Sequence, residues 1–125
     1  NFFAGQFRKD EGVVSGTNFE FPLPETYRSA DHAAGDVIVG IRPSSLSINE
    51  GEGRLDATVE VIEPLGWESY VHLEVAGRDA VAQLPTDDAR TLSKGDAVEL
   101  LAPRDEVHIF DAATEVAIRP EGTGA

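Results

Sequence analysis

Apolar side chains in this chain recur at every second position. Val71, Leu73 and Val75 alternate with His72, Glu74 and Ala76, and Ala57, Val59 and Val61 alternate with Thr58, Glu60 and Ile62. A period of two gathers one apolar set on one face of a pleated strand, whereas a helix would need a period of about 3.6. Val37 to Ile41 and Val98 to Leu101 are more continuously apolar, the pattern of strands covered on both sides. Between these runs stand Asp10-Glu11-Gly12, Gly51-Glu52-Gly53, Ala76-Gly77-Arg78 and Lys94-Gly95-Asp96, each offering a glycine for a positive backbone angle. Short strands punctuated so regularly predict an all-β barrel or sandwich.

One short helical turn is expected from Asp87 to Leu92. Thr86 is placed to cap its free amides, while Asp87 and Asp88 complement the positive end of its dipole. The stretch from Pro22 to Gly35 is the least patterned and reads as a surface loop. It divides a leading hairpin, residues 1–21, from a main barrel, residues 36–118. Residues 1–120 form a single domain in this reading, and residues 121–125 are expected to be a disordered tail.

At 125 residues, one domain can bury roughly two-thirds of its unfolded surface, enough for a core without covalent staples. The absence of Cys removes disulfide frameworks, thiolate metal sites and cysteine nucleophiles. No apolar run approaches the ~20 residues that a membrane-spanning helix needs. The 23 acidic residues against 10 basic ones give a net charge of −13, with Lys9 and Lys94 the only lysines. Such a surface repels a phosphate backbone, so nucleic acid is excluded as a partner. The acidic residues are dispersed, as over a folded core. Sparse lysine points to adaptation to high salt, where the Debye length falls to roughly 3 Å at 1 M.

Most candidate chemistry fails on spacing. No G-x-x-x-x-G-K-S/T or G-x-G-x-x-G run exists to cradle a phosphate. Ser44 and Ser45 follow Pro43 without a nucleophile elbow and read as polar groups at a strand end. His32, His72 and His108 are too dispersed to make a metal site. Glu60 and Glu63 point to opposite faces of a regular strand, and only a bulge near Pro64 would turn one inward. Arg42, between an apolar strand and Pro43, is expected to fasten the strand end by an ion pair with Asp111 or Glu63, with ligand binding as the lesser alternative. Trp67 lies in the turn-like run Pro64 to Glu68, either folded back on the barrel wall or offered as a contact anchor.

Three blocks carry a family resemblance by their order: GIRPSSL at Gly40 to Leu46, VEVIEPLGWE at Val59 to Glu68, and VHIFDAAT at Val107 to Thr114. Together they resemble the TOBE (transport-associated OB) region at the C-terminus of ATPase subunits in sugar-importing ABC transporters of the maltose and glycerol-phosphate type. The opening Asn1-Phe2-Phe3-Ala4-Gly5 resembles the start of such regions, and a chain that opens at Asn1 with no Met is expected to follow an upstream domain. The resemblance implies an OB-like (TOBE/MOP-like) small β-barrel with a leading β-hairpin. It marks Gly40, Arg42, Pro43, Gly66, Phe110 and Asp111 as structural positions of the family motifs, and Trp67 with Glu68 as a candidate interface. Two departures stand out: Trp67 replaces a small or polar residue, and Ser44 replaces a Glu.

What the resemblance further implies is a non-catalytic, regulatory domain. ATP and magnesium would belong to the upstream nucleotide-binding domain, and the chain would have no catalytic residue, cofactor or metal of its own. Its partners would be that domain, a second copy of the ATPase subunit in a homodimer, regulators and, indirectly, the membrane permease. The location would be cytoplasmic, peripheral to the inner face of the cell membrane. The alternative is a small oxyanion-binding barrel of the molybdate or sulfate type, using Ser44, Ser45 and Lys94. The chain lacks the S-A-R-N-type block of those binders, and its charge opposes an anion.

Overall fold

The computed structural model describes residues 1–23 and 35–114 of the chain. Nine strands dominate it: β1 (Phe2–Arg8), β2 (Val13–Gly16), β3 (Phe19–Pro22), β4 (Gly35–Ile41), β5 (Gly53–Pro64), β6 (Glu68–Val75), β7 (Arg78–Pro85), β8 (Ala97–Ala102) and β9 (Val107–Asp111). One α-helical turn, α1 (Thr86–Ala89), follows β7, and 3-10 turns lie at Lys9–Glu11, Pro43–Ser45 and Arg104–Glu106. The all-β class read from the alternation is therefore correct. Most of the expected loop between Pro22 and Gly35, the tail, and His32 lie outside the described residues.

The strands run in the order β7-β6-β5-β3-β2-β1-β4-β9, with β8 added to β5. Every paired neighbour is antiparallel. The leading hairpin is present as β1 and β2, and β3 extends it into a meander. It is not set apart from the rest. β1 pairs β4 from Phe2↔Gly40 to Phe7↔Gly35, and β3 reaches β5 at Phe19↔Leu55. Strand β5 carries most of the architecture, because β3 and β8 flank its first half while β6 takes its second.

The curled sheet wraps one core in which Phe7, Phe21, Leu23, Leu46, Leu55, Leu73, Leu84, Leu100 and Ile109 are fully buried. Burial of a side chain of this size contributes about 1.5–3 kcal/mol, so a chain this short needs many of them. Gly53 shows how tight the packing is: a Cβ there would lie 2.2 Å from Cδ1 of Phe21. On the surface, the Glu52 carboxylate accepts the Arg104 N–H at 3.0 Å and ties the start of β5 to the β8–β9 connection. That backbone bond is the main cause holding its pKa below the ordinary glutamate value.

Two local expectations fail, each through a contact that spacing does not reveal. The alternation of β5 breaks between Val59 and Val61: Val59 pairs Leu73, but Val61 pairs His72, leaving Glu60 as an extra residue. A bulge reverses the facing of everything after it. Val61, expected to point inward, is 57% exposed, and Ile62 packs against the core instead. The bulge sits at Glu60 and not near Pro64, and it leaves Glu60 and Glu63 both exposed. The second failure is Thr86, which caps nothing; Pro85 occupies the cap position without a side-chain bond.

Candidate functional site

The motif residues gather into two places and one structural turn. The first place is the β5–β6 connection. Gly66 holds φ +92°, a left-handed conformation that glycine adopts without penalty, and the turn closes where the Leu65 N–H donates to the Glu68 carbonyl at 2.9 Å. Thr86 grips it from across the sheet. Its N–H donates to the Trp67 carbonyl at 2.8 Å and its hydroxyl to the Gly66 carbonyl at 2.6 Å. Ser69 Oγ, fully buried, lies 2.9 Å from the same hydroxyl.

This grip presents Trp67 to solvent. The ring is 93% exposed, which rules out its folding back on the barrel wall. Leu65, in the same turn, is 54% exposed, and Val61 at 57% and Tyr70 are exposed farther along β5 and β6. Glu68 beside Trp67 and Glu63 before the turn are exposed as well. Covering a Trp of about 200 Å² at about 25 cal/mol/Å² contributes on the order of 5 kcal/mol before the costs of association. The arrangement suits contact.

The second place is a cleft of about 350 Å³ lined by Asn1, Phe2, Gly40, Ile41, Arg42, Pro43, His108 and Phe110. The register explains the convergence, since β4 lies between β1 and β9, with Phe2 and His108 on either side of Gly40. The Phe2 and Phe110 rings meet edge to face, their centroids 6.2 Å apart. Gly40 makes room for both: a Cβ there would come within 3.1 Å of Phe2 Cε1 and 3.2 Å of Phe110 Cε2. The Asn1 side chain is committed elsewhere, donating to the Val81 carbonyl at 2.7 Å and accepting the Val81 N–H at 2.8 Å.

Arg42 is not the fastener it was expected to be. Its side chain is exposed and makes no ion pair with any described residue; Glu63 lies 3.3 Å from His72 Nε2 instead. The Asp111 carboxylate turns onto its own chain, accepting from the Ala113 N–H at 2.9 Å and the Thr114 N–H at 3.0 Å. The strand end is held without them, as the Ser45 N–H donates to the Arg42 carbonyl at 3.0 Å and the Ser45 hydroxyl to Glu106 at 3.1 Å. Among the described residues no group of His, Cys, Asp and Glu is arranged to hold a metal ion.

Sequence reasoning brought Gly40, Arg42, Pro43 and Phe110 forward but missed Phe2, His108 and Thr86 as their neighbours and supports. One signal was legible. Ser69 occupies the inward register with Val71, Leu73 and Val75, and a buried hydroxyl needs a partner.

Comparison with known proteins gives this geometry a setting. Residues 39–110 match the family model of the TOBE domain. The xylose/arabinose import ATP-binding protein XacK of Haloferax volcanii is 32% identical over 124 residues, covering 95% of this chain and 32% of that protein. The sn-glycerol-3-phosphate import ATP-binding protein UgpC 2 of Rhizobium johnstonii is 38% identical over 82 residues, covering 62% of this chain and 23% of that protein. The chain thus spans about a third or less of the length of these relatives. Among solved structures, the cytoplasmic molybdate-binding protein ModG is similar in fold, with a TM-score of 0.66 at 17% identity, over 87% of this chain and 94% of that one.

Proposed function

This chain belongs to the TOBE domain family, and on that premise we propose that it is the accessory domain of the ATP-binding subunit of a carbohydrate ABC importer. One observation carries the reading: the likeness to a xylose/arabinose import ATP-binding protein runs along nearly this whole chain, yet fills only 32% of that protein. The remaining two-thirds would supply the nucleotide-binding domain, and ATP and magnesium would be held there. This sequence has no phosphate-cradling motif of its own. Its role is contact without catalysis, at the cytoplasmic face beneath the permease.

In this role the domain supports pairing of two ATPase subunits and offers a surface to regulators. A persistent contact raises the effective concentration of one motor domain for the other, so hydrolysis need not end in separation. The exposed Trp67 on its gripped turn supports the choice of contact surface, because Trp is enriched among the residues that dominate interfaces. The test is sedimentation equilibrium of the complete ATPase subunit, with and without Trp67→Ser. The expected result is at least about tenfold weaker pairing in the variant. Equal pairing would remove Trp67 from the interface, and a monomer in both forms would defeat the pairing role itself.

The oxyanion alternative has the shared fold of a molybdate-binding protein in its favour. At 17% identity that likeness concerns architecture alone. Calorimetric titration with molybdate and sulfate decides it: saturable heat at micromolar levels would displace the accessory reading, and its absence would leave that reading standing.

A further inference from the structure

From the cleft between β1, β4 and β9 we infer a binding site for a small aromatic carboxylate, independent of subunit pairing. Its chemistry comes from two halves. One is apolar: Phe2 is 63% exposed, Phe110 meets it edge to face, and both rings pack over the bare Cα of Gly40. A further aromatic ring would complete an edge-to-face or offset stack with them, an attraction beyond area burial alone. The other half is polar and narrow. With the Asn1 side chain committed to Val81, the lining side chains left to meet a ligand's charge are Arg42 and His108.

Arg42 makes the site selective. A guanidinium matches a planar carboxylate with two parallel N–H···O bonds, and here no described carboxylate takes that position. Arg54 and Arg90 face Glu99 and Asp87, whereas Arg78, like Arg42, makes no ion pair with a described residue but does not line this cleft. A free sugar fits poorly, because many hydroxyls would meet few polar groups and leave hydrogen bonds unmade. A bare inorganic anion would use Arg42 but gain nothing from the rings. A planar ring bearing one carboxylate uses both halves, and about 350 Å³ is at the small end of ligand sites. The net charge of −13 opposes an approaching anion over distance, and salt removes that opposition while leaving a direct contact largely intact.

The experiment is a titration of the complete ATPase subunit in about 1 M potassium chloride, followed by the backbone amide resonances of Gly40 and His108. Phenylacetate is the probe, with acetate as the anion lacking a ring and benzyl alcohol as the ring lacking a charge. The expected result is saturable shifts with phenylacetate, and binding at least about tenfold weaker for either control. Arg42→Gln and Phe2→Ser, both at exposed side chains, should each weaken phenylacetate by a similar factor while leaving the amide spectrum otherwise folded. Absence of saturation, equal binding of acetate, or indifference to both substitutions overturns the site. Retained subunit pairing alongside any of these would show that the accessory role stands without it.

Discussion

Thr86 illustrates how one residue can serve a site that lies far from it in sequence. Its hydroxyl and N–H hold the carbonyls of Gly66 and Trp67, and it also satisfies the buried Ser69. Thr86→Val keeps the shape but removes the hydroxyl, leaving Ser69 and the Gly66 carbonyl short of a partner. Loss of a bond with a buried group left unsatisfied costs about 1–3 kcal/mol, and chemical denaturation should read a loss in that range. The backbone amide resonances of Leu65 and Trp67 should shift as well, because the turn they form is loosened. An unchanged midpoint and spectrum would mean that Gly66 sets the turn alone. The Gly66 position was visible in the sequence as a motif glycine; its partner was not, since Thr86 read more simply as a local helix cap.

At the scale of elements, β5 is where a regular pattern misleads. Strict alternation assigns Val61 to the core and Ile62 to the surface, and the extra residue at Glu60 exchanges them. A pair of substitutions separates the two assignments. Val61→Thr should change stability by less than about 0.5 kcal/mol, as exposed positions do. Ile62→Ala should cost more, about 1–2 kcal/mol, because Ile62 is partly buried against the core and its deletion leaves a void. The opposite ranking, measured by thermal or urea unfolding, would place the bulge elsewhere. The bulge also turns Val61 outward, beside His72 on β6.

For the molecule as a whole, charge sets the conditions under which fold and contact persist. A net charge of −13 on 125 residues stores self-repulsion that counterions relieve. The urea midpoint should therefore rise as salt is raised from about 0.1 M to about 1 M, where the Debye length contracts from ~10 Å to ~3 Å. A midpoint independent of salt would leave the acidic surface to solubility alone. By itself the sequence determined the all-β class, the turn positions, the acidic balance and the family blocks, because periodicity, glycine placement and charge are local or additive quantities. The tertiary structure alone decided which strands pair, that Glu60 bulges, that Arg42 makes no ion pair with a described carboxylate, and that Phe2 meets Gly40 and Phe110. Those outcomes depend on contacts between residues tens of positions apart, where sheet register and competition among partners settle what no single stretch of chain specifies.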